Sequence, residues 1–127
     1  VAGHYTEEEA QTIRCYVRAC KDRRKLELAA RLKAPRRDFD AVVATIVREY
    51  EPVRIYQWGS LLEDRDFSEL SDIDIAVEGI KDPAALSGLR SRAKRLSDFP
   101  LDIVAIERIH PAYAEHIRRR GRIVYER

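Results

Sequence analysis

The chain has 127 residues, of which 45% are hydrophobic and 36% charged, with a formal net charge of +2; one domain's core fits beneath a very polar surface. No stretch approaches the roughly 18 apolar residues that span a bilayer, no signal-peptide core opens the sequence, and the two cysteines, Cys15 and Cys20, fall on different faces of a helix. Membrane-spanning, disulfide-scaffold and low-complexity classes are thereby excluded, and a reduced, cytoplasmic protein is the expectation.

Thr6-Glu7-Glu8-Glu9 reads as a capping box opening a helix, with Ile13, Tyr16, Val17 and Cys20, then Leu28, Ala29 and Leu32, at helical spacing. Pro35 is expected to interrupt that helix. Asp38 or Asp40 can cap a second one, carrying Phe39, Val42, Val43, Ile46, Val47 and Tyr50 on one face before Glu51-Pro52 closes it. Residues 53–58 alternate β-branched and aromatic side chains, so they predict a strand running into Gly59-Ser60, followed by a polar loop or short helical turn over 61–71. A second strand is expected at 72–77, a helix from Asp82-Pro83 to about Leu96, and a third strand at 101–106. His110-Pro111 opens a last helix to about Arg119, Gly121 caps it, and 122–125 form a final strand. The order α-α-β-β-α-β-α-β implies an α/β (α+β) fold, a small mixed sheet with flanking helices. It divides into a basic N-terminal helical arm, residues 1–37, and a body, residues 38–127.

Charge is unevenly spread. From Arg14 to Arg37 ten Lys/Arg stand against Asp22 and Glu27, a local balance of +8; from Gly59 to Asp82 two basic residues stand against eight acids, a balance of −6. The basic run reads equally as a solvated helix face or a binding surface, and Tyr16 is its one aromatic, so nucleic-acid binding is the weaker reading.

Within the acidic stretch, side chains two apart on a strand share a face, so Asp72 and Asp74 point one way while Ile73, Ile75 and Val77 point into the core. Asp102 holds the same relation to Leu101 and Ile103 on the third strand. If the two strands are neighbours, three carboxylates converge; left alone they repel, whereas hard dications such as Mg²⁺ seek such oxygens. Asp-Ile-Asp by itself is more often a wet strand face, and Gly-Ser more often a plain turn. The conjunction of strand, Gly-Ser, loop, Asp-x-Asp strand, helix and Asp strand is what points to chemistry.

That conjunction resembles the nucleotidyltransferase superfamily typified by DNA polymerase beta, and within it the minimal nucleotidyltransferases of prokaryotes. Trp58-Gly59-Ser60, Ser71-Asp72-Ile73-Asp74-Ile75-Ala76-Val77-Glu78-Gly79, Leu101-Asp102-Ile103-Val104 and the tail from Ile117 to Arg127 carry the resemblance, which covers residues 39–127 and leaves out the arm. It implies that Asp72, Asp74 and Asp102 are the catalytic acids and ligate two Mg²⁺ ions (Mn²⁺ in their place is compatible), and that Gly59 and Ser60 hold the triphosphate. The reaction implied is transfer of a nucleoside monophosphate, AMP from ATP foremost, to a hydroxyl acceptor with release of pyrophosphate. Minimal members commonly pair with a small all-helical HEPN-type protein as toxin and antitoxin. This chain would then be the antitoxin-like half, a protein adenylyltransferase modifying that partner, as part of an oligomer or hetero-oligomer. Two features depart from the pattern: eleven residues separate Ser60 from Asp72, and Glu63-Asp64 stand where an Arg-Gly is common. They support an alternative, a non-catalytic module that neutralises a helical partner by complex formation.

Overall fold

The protein is described from a computed structural model over residues 4–63 and 71–127. Its elements are α1 (Glu7–Tyr50), β1 (Arg54–Trp58), α2 (Ser60–Glu63), β2 (Ile73–Glu78), α3 (Pro83–Lys94), β3 (Leu101–Ala105), α4 (Pro111–Arg120) and β4 (Arg122–Glu126), with a 3-10 turn at Ile106–Arg108 after β3. They form the expected α/β fold, one four-stranded mixed sheet with flanking helices. Contacts group the chain into two units, Val1–Arg31 and Leu32–Arg127. No described helix is long and apolar enough to cross a membrane.

In the first unit α1 begins on the capping box. The Glu9 amide donates to Thr6 Oγ1 at 3.1 Å, and that hydroxyl donates to Glu9 Oε1 at 3.1 Å, while Glu7, Glu8 and Glu9 place negative charge at the positive helix end. Ile13, Tyr16, Val17 and Leu26 are exposed along the helix that follows.

Pro35 does not end the helix as the sequence predicts; α1 continues through it. A proline inside a helix forfeits one hydrogen bond and crowds the preceding turn, at a cost of about 3 kcal/mol. Here Leu32, Pro35, Phe39, Val42 and Ile46 recur at three- and four-residue steps and are all buried, so Pro35 belongs to the apolar stripe whose burial offsets that cost. Asp38 is consequently not a cap. Its Oδ2 accepts from Ser97 Oγ at 2.9 Å, tying α1 to the segment before β3.

The sheet order is β3-β2-β1-β4. β1 pairs antiparallel with β2 and β4, and β2 pairs parallel with β3 through the α3 crossover. Directly paired residues share a face. Ile55, Gln57, Ile73, Ile75, Val77, Ile103 and Ala105 line one side, all buried, and α1 approaches it where Phe39 and Gln57 wall a common cavity. Tyr56 and Ala76 on the other side join Ile106, Ala114 and Ile117 in a cluster beneath α4. Asp82 caps α3 by accepting from the Ala84 amide, and His110 Nδ1 caps α4 by accepting from the Ala112 amide, each at 3.0 Å, with a proline at the first helical position in both.

Candidate functional site

Strand register decides what stands next to what. Trp58, the last residue of β1, is the partner of Asp74 on β2, and Asp74 is the partner of Asp102 on β3. Trp58, Asp74 and Asp102 therefore form a row across three adjacent strands on the face that α4 covers further along, at the end α4 leaves half-open. Asp72 lies just ahead of β2, outside the strand that the sequence predicted to contain it, and is exposed. Parallel pairing with β3 begins at Ile73 opposite Leu101, where the Ile73 amide donates to the Pro100 carbonyl, so the residue before it is not in the ladder.

The carboxyl at the centre of this row is the strongly perturbed one. Burial pushes the Asp74 carboxyl up to about 7 from the usual 3.8, and the charges of Asp102 and then Asp72 push in the same direction. Asp74 thus feels both of the other acids. Among the described residues, however, no three Asp, Glu, His or Cys side chains are gathered closely enough to hold a metal ion as they stand. The two observations concern different ranges: charge acts through several ångströms, coordination only through direct contact. The donor chemistry fits a hard divalent cation, since every candidate ligand is a carboxylate oxygen and, among the described residues, no cation pairs with Asp74.

Gly59 is tied to this row by shape. Its φ is +82°, and a Cβ there would come within 2.0 Å of Asp74 Oδ2. The Asp74 carboxylate occupies the space a side chain would need, so any residue other than glycine here must displace it and adopt a left-handed backbone. Ser60 follows as the first residue of α2. Residues 64–70, including Asp64 of the acidic pair, lie outside the described residues.

The sequence reading missed Tyr113. Its ring stands edge-on to Trp58, centroids 5.4 Å apart at 87°, and its phenol is pushed up by burial, by Asp102 and by Asp74. The His110-Pro111 cap fixes where α4 starts, but only the packing of α4 over Trp58 brings Tyr113 to the site. Trp58, paired with Asp74 and in contact with Tyr113, lies beside the carboxylates. Its Nε1 is buried and finds no hydrogen-bond partner among the described residues. Asp102 also borders an edge cleft of about 230 Å³ with Arg90 and Lys94, while the cavity holding Gln57 and Arg122, about 380 Å³, is on the opposite face.

No protein-family profile and no curated protein matches the sequence. A solved structure does: a crystal structure of a toxin-antitoxin with AMP-PNP is similar over 68% of this chain and 73% of that one, with 24% identity and a TM-score of 0.55. Likeness at that identity speaks for the fold alone.

Proposed function

We propose that this chain is a Mg²⁺-dependent nucleotidyltransferase that moves a nucleoside monophosphate, AMP from ATP foremost, onto a hydroxyl of a partner protein, a small all-helical HEPN-type chain, in a toxin-antitoxin module. The observation that carries this reading is the register row: Asp74 opposite Asp102, held against Gly59, with no cation paired to Asp74 among the described residues. The fold neighbour's content, a toxin-antitoxin with AMP-PNP, supports a nucleotide and a protein partner.

In this reading Asp72, Asp74 and Asp102 hold the metal ions, which when bound supply the charge that offsets carboxylate repulsion and stabilises the phosphate oxygens. Gly59 and Ser60 bind the triphosphate where β1 ends. The acceptor oxygen attacks the α-phosphorus, the bond from that phosphorus to the β-phosphate bridging oxygen breaks, and pyrophosphate leaves. Asp102 takes the acceptor's proton. Trp58 and Tyr113 wall the same end and exclude water from it.

The test is label transfer. With Mg²⁺ and a candidate helical partner of the HEPN type, α-labelled ATP should label the partner and γ-labelled ATP should not. A stable complex that shows no transfer from any α-labelled nucleotide would replace this reading with neutralisation by contact alone.

A further inference from the structure

The arm carries a pattern that the proposed reaction does not use. Ala10, Ile13, Val17 and Cys20 recur at steps of three, four and three along α1, the spacing of a coiled-coil seam. Ile13 and Val17 are 43% and 44% exposed, and Tyr16 beside them is 70% exposed. A single helix has nothing to bury such a seam against. Its charges are also polarised, with Glu7, Glu8 and Glu9 in the first turn and Lys21, Arg23, Arg24 and Lys25 beyond the seam.

We infer that the arm pairs antiparallel with the arm of a second copy of this chain, about a two-fold axis near Cys15. In that register Ala10 packs on Cys20 of the other copy and Ile13 on its Val17, each pair occurring twice. Glu7 then flanks Lys21 of the other copy, Glu9 flanks its Arg23, and the two Tyr16 rings meet at the axis. The one like-charged meeting, Arg14 with its copy, is softened because Arg14 Nη2 already stands 3.3 Å from Glu7 Oε1 of its own chain. Parallel pairing would lay the basic run from Arg18 to Lys25 along its own copy, so the charges select the antiparallel arrangement. Four small layers make a weak dimer, of the kind that forms and parts with concentration.

The experiment uses the full chain. Sedimentation across a concentration series should show reversible doubling of mass that Ile13→Asp abolishes. Arg23→Glu should raise the dimer Kd about tenfold, because the axis applies the new repulsion twice, and Glu9→Lys with Arg23→Glu should restore it. For orientation, Ala10→Cys in a Cys15→Ser background should oxidise to a disulfide between residue 10 of one copy and Cys20 of the other, read by peptide mapping. A monomer at every concentration overturns the inference. So does predominant Cys20–Cys20 linkage, or a dimer indifferent to Ile13→Asp while circular dichroism shows α1 intact.

Discussion

The two faces of the sheet are made by the same strands and meet opposite fates. On β2, Ile73, Ile75 and Val77 are fully buried, whereas Asp74, between two of them, is half-buried among other acids. β3 repeats the contrast with Ile103 against Asp102. A period of two is thus enough to place a core and a candidate site a few ångströms apart, the apolar face fixing the register that aligns the polar one. The site side costs stability that the core side supplies. Asp74 is held where its charge is unfavourable, Gly59 is held at positive φ, and Trp58 Nε1 has no partner among the described residues.

That contrast breaks most sharply at Asp74 and Asp72. In the proposed reaction Asn at either position would remove a metal-binding oxygen, so label transfer should fall by at least about a thousandfold, the scale expected when a group that stabilises phosphoryl-transfer charge is lost. Metal-free stability should move the other way and rise, because repulsion is relieved. Mg²⁺ should raise the melting temperature of the wild type through preferential binding to the folded state, and both variants should lose that gain. Identical metal responses in all three proteins would remove the carboxylates from the proposed site.

The opposite face answers to packing. Ile75→Ala empties a fully buried position between β1 and β3 and should cost about 2–5 kcal/mol by denaturant titration, with no change in metal response beyond that of a less stable protein. Gly59→Ala should lie between the two behaviours. The new methyl must displace the Asp74 carboxylate and adopt a left-handed backbone, together about 1–3 kcal/mol. Because it moves Asp74, it should also blunt the Mg²⁺ response, which a purely structural glycine would leave intact.

How far these residues could be read from sequence depends on whether the signal is local. Alternation at 72–77 and 101–106, and the prolines after Asp82 and His110, place the strands and the helix starts without any tertiary knowledge. The neighbouring of Asp74 and Asp102 is not local, since it requires β2 and β3 to be adjacent and parallel; the intervening helix suggests that but does not fix the register. Pro35 misled because its local effect is to break a helix, while its burial beside Leu32 and Phe39 is decided by the fold. Tyr113 escaped because nothing in Ala112-Tyr113-Ala114 distinguishes a site wall from an exposed aromatic until α4 is set over Trp58.

A pH series sharpens the comparison with a smaller effect. The folded-state value of Asp74, about 7, lies above its ordinary 3.8, so between those values the folded protein binds more protons than the unfolded chain. The stability supplied by protonated Asp74 is complete below about pH 4 and is lost as pH rises through about 7. Metal-free wild type should therefore lose melting temperature, relative to Asp74→Asn, on going from about pH 5 to about pH 8. The difference between the two proteins isolates Asp74 from the other carboxylates. A difference that stays constant with pH would mean that Asp74 titrates as an exposed acid and that the site end is wet.

The smallest expected effect concerns the wall. Tyr113→Phe keeps the ring edge-on to Trp58 and removes only a hydroxyl on a side chain that is 37% exposed, so stability should change by no more than about 0.5 kcal/mol. Tyr113→Ala loses the ring contact as well and should cost about 0.5–1.5 kcal/mol beyond the area uncovered. The two faces of the sheet predict different uses for that loss. If Tyr113 were part of the core, Ala would act on stability alone, as Ile75→Ala does. Standing instead over the carboxylate row, it shields Asp74 and Asp102 from water, so its removal should lower the Asp74 titration midpoint, measured by carboxyl NMR shifts in the metal-free protein, while Phe preserves it. An unmoved midpoint in Tyr113→Ala would assign the burial of Asp74 to Gly59 and the strands alone.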